Sequence, residues 1–238
     1  MIQMSPIAII HTPFLEKFAI PRQPKLASAA TGCIELLPPF NDPLAFEGLE
    51  KVSHIWLLFR FHAVKQDQNK PPRLRVRPPR LGGNVKVGVF ATRSTHRPNG
   101  IGMSVVKLEK IEGTKLYVSG VDLLNGTPIL DIKPYVPYAD SVADATNVLA
   151  EQAPELIEVN WSDNALLCAQ SHSDRLHADV VALIEQCLAQ DPKPAYQQPS
   201  PDRVYGVRLW DLNVTWCYPS STEIKVLGVI NEANTPTA

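Results

Sequence analysis

The chain has 238 residues, 45% of them hydrophobic, with 23 Lys plus Arg against 24 Asp plus Glu. That is enough apolar material for one or two globular cores. The near-zero formal charge excludes a protein that coats nucleic acid over its whole surface, while leaving room for a local basic patch. Cys33, Cys168, Cys187 and Cys217 lie far apart and form no CxxC pair, which excludes a disulfide scaffold. The start MIQMSPIAIIHTPF lacks the features of a secretory signal, and no apolar run reaches the ~18 residues of a membrane span. A reduced, cytoplasmic protein with no membrane partner is expected.

Taken in chain order, the first 140 residues read as strands. Ile7–Thr12, Gly32–Leu37 and Val52–His62 are apolar or β-branched runs bounded by Pro, Gly or Asn. The third, VSHIWLLFRFH, is continuous enough to predict a strand buried on both faces. Lys86–Thr92, Ser104–Ile111, Lys115–Val121 and Pro128–Ile132 continue the series, with turns at Glu112-Gly113 and Asn125-Gly126. Closely spaced strands without helices between them predict a mainly β fold, a small antiparallel β-barrel over residues 1–140. A linker follows at 141–156, and then a small α+β C-terminal domain at 157–238. In that domain Ile157–Trp161 reads as a strand and Ser162 as a helix N-cap with Asp163 beside it. The apolar stripe Leu176, Val180, Val181, Leu183, Ile184, Cys187 predicts one amphipathic helix from Leu176 to Leu188. Tyr205–Tyr218 and Glu223–Val229 predict two strands joined at Pro219–Thr222.

Three segments carry residues suited to chemistry. PPRLRVRPPR (Pro71–Arg80) sets Arg73, Arg75, Arg77 and Arg80 on a proline-stiffened ribbon. Arginines one residue apart project to the same side of an extended chain and suit phosphate contact, although a solvated connecting loop reads as well. ATRSTHRPNGIGMS (Ala91–Ser104) packs Arg93, His96, Arg97 and Asn99 among Pro98, Gly100 and Gly102. Glycines let a ligand approach the backbone, and Asn99 can read an adenine edge; the alternative is a hairpin loop whose arginines cap carbonyls. DLLNGTPILDIKPY (Asp122–Tyr135) puts Asp122, Asp131 and Lys133 at or beside strand ends. A carboxylate there can bind a ligand or act as a base, or Asp131 and Lys133 can simply pair. The six histidines show no zinc spacing and no supporting cysteine, so no metal is expected.

These segments together resemble the TrmO family, also called TsaA-like proteins. The resemblance rests on KFAIPRQP (Lys17–Pro24), SHIWLLFRFH (Ser53–His62), RPPRLGGN (Arg77–Asn84), GVFATRSTHRPNGIGMS (Gly88–Ser104) and DLLNGTPILDIKPY. It extends weakly into the tail through AQDPKPAY (Ala189–Tyr196) and YGVRLWDLNVTW (Tyr205–Trp216). It implies a small β-barrel methyltransferase that uses S-adenosyl-L-methionine to methylate N6 of N6-threonylcarbamoyladenosine at position 37 of tRNA, assembled as a homodimer. The implied cofactor pocket comprises Pro21, Arg22, Gln23, His62, Ala63, Arg93, Met103, Asp122, Leu123, Leu124 and Asn125. Two positions depart from the family pattern: Asn125 stands where an acid is common before Gly126, and Gly100 where a second proline is common after Asn99.

For such a transfer, alignment of nitrogen, methyl and sulfur can lower a barrier by roughly 7–11 kcal/mol. A positioned base adds about 10²–10⁴-fold. Asp122, Asp131 and His62 are the candidate bases, and Arg93 is a candidate anchor for cofactor or substrate. Arg73, Arg75, Arg77, Arg80 and Arg97 are candidate tRNA contacts, with Lys193, Arg203 and Arg208 as further candidates in the tail. Two other functions compete: a non-catalytic RNA-binding barrel, and a methyltransferase acting on a small phosphorylated substrate.

Overall fold

The computed structural model describes residues 3–64, 74–78, 85–194 and 197–232. Six strands close into a barrel: β1 (Ala8–His11), β2 (Thr31–Leu36), β3 (His54–Arg60), β6 (Ile101–Glu112), β7 (Lys115–Ser119) and β8 (Thr127–Pro134). Around the wall they run β1-β2-β7-β6-β3-β8, every neighbour antiparallel, and β8 returns to β1. Alternation along each strand sends one set of side chains inward. Ile10, Ile34, Ile55, Leu57, Val106, Leu116 and Ile129 fill the interior and are fully or almost fully buried. Gly102 of β6 faces the ring of Phe59. A Cβ there would lie 2.3 Å from it, so only glycine lets the Phe59–Phe61 edge-to-face pair close over this end of the wall.

The strand β3 corrects one expectation. Its burial alternates, with Trp56 and Leu58 half-exposed on the outer wall. In place of a full strand at Lys86–Thr92, a two-residue ladder joins β4 (Arg75–Val76) to β5 (Val87–Gly88), and a single 3₁₀ turn, Val89–Ala91, follows. After β8 come a one-turn helix α1 (Pro137–Asp140) and an exposed connection with a 3₁₀ turn at Val148–Ala150.

The C-terminal part has a four-stranded sheet, β10 (Tyr205–Leu209), β11 (Leu212–Cys217), β12 (Glu223–Asn231) and β9 (Glu158–Trp161), with β9 parallel to β12. Where two strands were expected over Tyr205–Val229 there are three, because Trp210 adopts a left-handed φ of 52° and turns the chain between β10 and β11. The helical stretch expected to begin at Ser162 and run on through the Leu176–Leu188 stripe is two helices, and the second starts at Val180 instead of Leu176. α2 (Asp163–Leu176) is capped by the Ser162 hydroxyl, which accepts from Ala165 N–H, and ends at His177, whose φ is 49°. Asp179 then caps α3 (Val180–Leu188) through Ala182 N–H at 2.9 Å. The apolar stripe continued across the break because both helices face the same core.

The two parts meet along 13–30. Phe14 bridges to Leu209, Trp210 N–H donates to Pro13 O at 2.8 Å, and Phe18 stacks on the buried Trp216 with centroids 5.9 Å apart. Such a stack is worth about 0.5–1.5 kcal/mol beyond its buried area.

Candidate active site

The open end of the barrel gathers three stretches far apart in sequence: the loop 12–30, the loop 92–100 and the turn 122–127. The last is fixed from both sides. Thr12 N–H donates to the Asn125 carboxamide oxygen at 3.0 Å, and its hydroxyl donates to Leu123 O at 2.8 Å. Asn125 N–H reaches Phe14 O and Gly126 N–H reaches Ile10 O, at 2.8 and 2.9 Å. Gly126, with φ of +76°, makes the turn that brings Thr127 N–H back to Leu124 O. The Asn125 side-chain oxygen is therefore a structural acceptor that ties the turn to β1, a job an amide does without charge.

Asp122 precedes this turn. One of its carboxylate oxygens accepts from the Ser104 hydroxyl at 2.7 Å. Ser104 is 4% exposed and occupies an inward position on β6 that apolar neighbours would otherwise fill. Burial pushes the Asp122 carboxyl up to about 6; the Ser104 hydroxyl, the residue's own backbone and the Arg93 charge act against that rise and do not cancel it. A buried carboxylate so weakly compensated suits a neighbouring cation.

Arg93 lies on the adjacent loop, and its guanidinium donates to the Gln23 carboxamide oxygen. That contact spans 70 residues of sequence and joins the PRQP segment to the Asp122 side of the mouth. Pro21 is buried at the base of the same segment, while Arg22 points to solvent. Met103, one residue before Ser104, faces outward and is 56% exposed.

His62 lies beyond the end of β3 with Ala63, whose carbonyl accepts from Lys17 Nζ. Although His62 is solvent-accessible, partial burial and then the Lys17 ammonium hold its pKa below the usual histidine value. It borders a cavity of about 430 Å³ shared with Arg60, Phe61, Asn99 and Leu130. That cavity adjoins the barrel mouth through the 97–100 loop and does not include Asp122.

Asp131 is placed differently. It sits on the outer wall, 3.2 Å from Lys133, with the two side chains 46% and 63% exposed. Arg97 donates to Thr92 O at 2.8 Å and lies 5.9 Å from the Phe90 ring centroid, so it braces its own loop. Arg75 and Arg77 are exposed, and Arg75 donates to Lys86 O at 2.9 Å. The hairpin they occupy leads through Val89–Ala91 directly to Arg93. Arg73 and Arg80 lie outside the described residues.

Sequence reasoning assigned no role to Ser104, Thr12 or Lys17. A hydroxyl at an inward strand position was the one available signal, for Ser104; the other two act through contacts that no local pattern encodes.

The tRNA-methyltransferase O N-terminal domain model matches residues 9–141, and the TrmO C-terminal domain model matches 154–232. The chain belongs to the TrmO family. The tRNA (adenine(37)-N6)-methyltransferase of Escherichia coli strain K12 is 43% identical over 220 residues, covering 90% of this chain and 92% of its own length. RcsF of Pseudomonas aeruginosa, whose name describes an S-adenosylmethionine-dependent methyltransferase, is 63% identical over 226 residues, covering 95% and 96%. The crystal structure of TrmO from Pseudomonas aeruginosa superposes with a TM-score of 0.82 at 55% identity, covering 97% of this chain and 99% of that one. Both TrmO domains are thus present in one chain, in family order.

Proposed function

We propose that this TrmO-family enzyme transfers the methyl of S-adenosyl-L-methionine to N6 of N6-threonylcarbamoyladenosine at position 37 of tRNA. Family membership makes the chain an S-adenosylmethionine-dependent tRNA N6-methyltransferase. The observation that carries the local assignment is the Gln23–Arg93 contact beside the buried Asp122 carboxylate. These residues fit the methyl donor: Asp122 offers incompletely compensated negative charge to a sulfonium, and Arg93 with Gln23 offers donors to a carboxylate or ribose. When bound, the donor supplies an electrophilic methyl group.

The protein's share of the chemistry is alignment and proton removal. The rigid 122–127 turn and the Gln23–Arg93 contact fix two sides of the mouth and would hold the donor in place against the acceptor nitrogen. Asp122 is the base we favour over Asp131 and His62. A carboxylate titrating at about 6 is ionised at neutral pH yet more basic than an ordinary aspartate. The Ser104 hydroxyl holds the charged form in one orientation. Asp131 lacks that environment, being exposed and paired. His62 lines the approach beside Asn99 and Gly100, where the adenine edge can be read, and Ala63 follows it in the chain. Pro21, Arg22, Met103 and Leu123 to Asn125 complete the proposed pocket.

Arg75 and Arg77 are the proposed tRNA phosphate contacts, together with the charge of Arg97; Arg73 and Arg80 are proposed as contacts from the same stretch of sequence. The proposal includes a cytoplasmic homodimer; the exposed Met103 and the half-exposed Trp56 on the barrel wall support a partner covering that face. Sedimentation velocity reads the oligomer directly.

The deciding experiment incubates the protein with S-adenosyl-L-methionine and with tRNA carrying threonylcarbamoyladenosine but lacking the extra methyl. Nucleoside mass spectrometry is expected to show one added methyl on that nucleoside. Methylation of unmodified adenosine instead would overturn the acceptor assignment.

A further inference from the structure

The loop that carries Gln23 has little structure of its own: one 3₁₀ turn, Pro24–Leu26, and Ala19 in the left-handed region at φ 61°. Its backbone polar groups need partners from elsewhere. They find them in the C-terminal domain. Gln190, one turn beyond Gln186 at the end of α3, is 6% exposed. Its carboxamide oxygen accepts from Arg22 N–H at 3.3 Å, and its NH₂ donates to Leu26 O at 3.3 Å and to Gln186 O at 2.8 Å. The Gln186 oxygen accepts from Ala29 N–H at 2.9 Å, and its NH₂ reaches the Ser28 hydroxyl at 3.3 Å. Gln186 lies in the last turn of α3 and Gln190 in the turn just past its end, tied to it by the bond to Gln186 O, so the two amides grip the loop at two points of its length.

Resting on the cofactor pocket proposed above, we infer that Gln190, assisted by Gln186, is a positioning residue for methyl-donor binding: it clamps the 22–29 loop so that Gln23 meets Arg93. The Arg22 and Leu26 groups held by Gln190 flank Gln23 on both sides. Gln23 in turn is the partner of the Arg93 guanidinium. The C-terminal domain thereby completes the donor pocket of the barrel without touching the donor. Gln190 is too buried to touch tRNA, so its effect separates from any effect on RNA binding.

The test uses the full-length protein and measures donor Kd by calorimetry, donor and tRNA KM, kcat and melting temperature. Loss of buried hydrogen bonds predicts that Gln190→Met raises donor Kd and KM roughly tenfold, with tRNA KM and saturated kcat within about twofold of the parent. Gln186→Met, at a less buried site, is expected to shift donor Kd in the same direction by less, and it decides the matter if Gln190→Met does not fold. Restoring a carboxamide with Gln190→Asn is expected to recover part of the loss. Unchanged donor Kd in a folded variant, or a rise confined to tRNA KM, would overturn the inference. Gln23→Ala and Arg93→Ala run alongside as controls. If they too leave donor Kd unchanged, the pocket assignment itself has failed; if they raise it while the Gln190 and Gln186 variants do not, only the clamp has failed.

Discussion

Asp122 and Asp131 flank the same turn and the first half of the same strand, yet the fold makes them opposites. Asp122 enters the barrel mouth, where Ser104 holds it and burial raises it to about 6. Asp131 stays on the outer wall, where Lys133 lies 3.2 Å away and water screens both. An exposed pair of that kind contributes about 0–1 kcal/mol. Identical side chains thus differ in acidity and pairing because solvent is removed from one, where the compensating charge is incomplete, and not from the other.

The largest effect that sharpens this contrast is expected from Asp122→Asn. Loss of a positioned base should cut kcat/KM by about 10²–10⁴-fold, whereas Asp131→Asn should stay within a few-fold of the parent. Comparable losses in the two variants would break the comparison. Next is the pH profile. In the proposed role Asp122 acts ionised, so activity should fall as pH drops through about 6. Ser104→Ala removes a donor that favours the charged form, so the acid limb should move to higher pH while activity well above it changes less.

Stability should run the other way. A carboxyl raised from 3.8 to about 6 contributes stability that is fully present below its unfolded value and lost as pH rises through the folded value. Asp122→Asn should therefore melt higher than the parent at pH 8, by at most about 3 kcal/mol of stability, and show a smaller gain at pH 4. Equal melting temperatures at pH 8 would mean that the carboxylate is compensated after all. The smallest effect is expected on the rim: Arg75→Ala or Arg77→Ala should weaken tRNA binding uniformly and lower the log affinity–log salt slope by about one each.

Much of the architecture was legible in the sequence, because strand alternation, glycine turns and helix caps are local properties. β1, β2, β6, β7 and β8 lie within a few residues of where apolar runs and turn residues put them, and Ser162 caps α2 as its type and place suggested. The ordered motifs also carried the family. Two of the misreadings share a cause. The break at His177 and the turn at Trp210 use left-handed backbone at non-glycine residues, which no composition signal marks. The outer face of β3 looked buried because half-exposed Trp56 and Leu58 read like core residues.

The sequence by itself determined the barrel's periodicity, the presence of a second α+β unit, and the set of polar residues available at loop ends. Only the tertiary structure decided which of them meet. Ser104 and Asp122 join across 18 residues, Gln23 and Arg93 across 70, and Gln190 reaches Arg22 across 168. It also decided which aspartate is buried. Periodicity and capping depend on neighbours along the chain, whereas desolvation and long-range hydrogen bonds exist only once the barrel has closed and the C-terminal domain has docked on it.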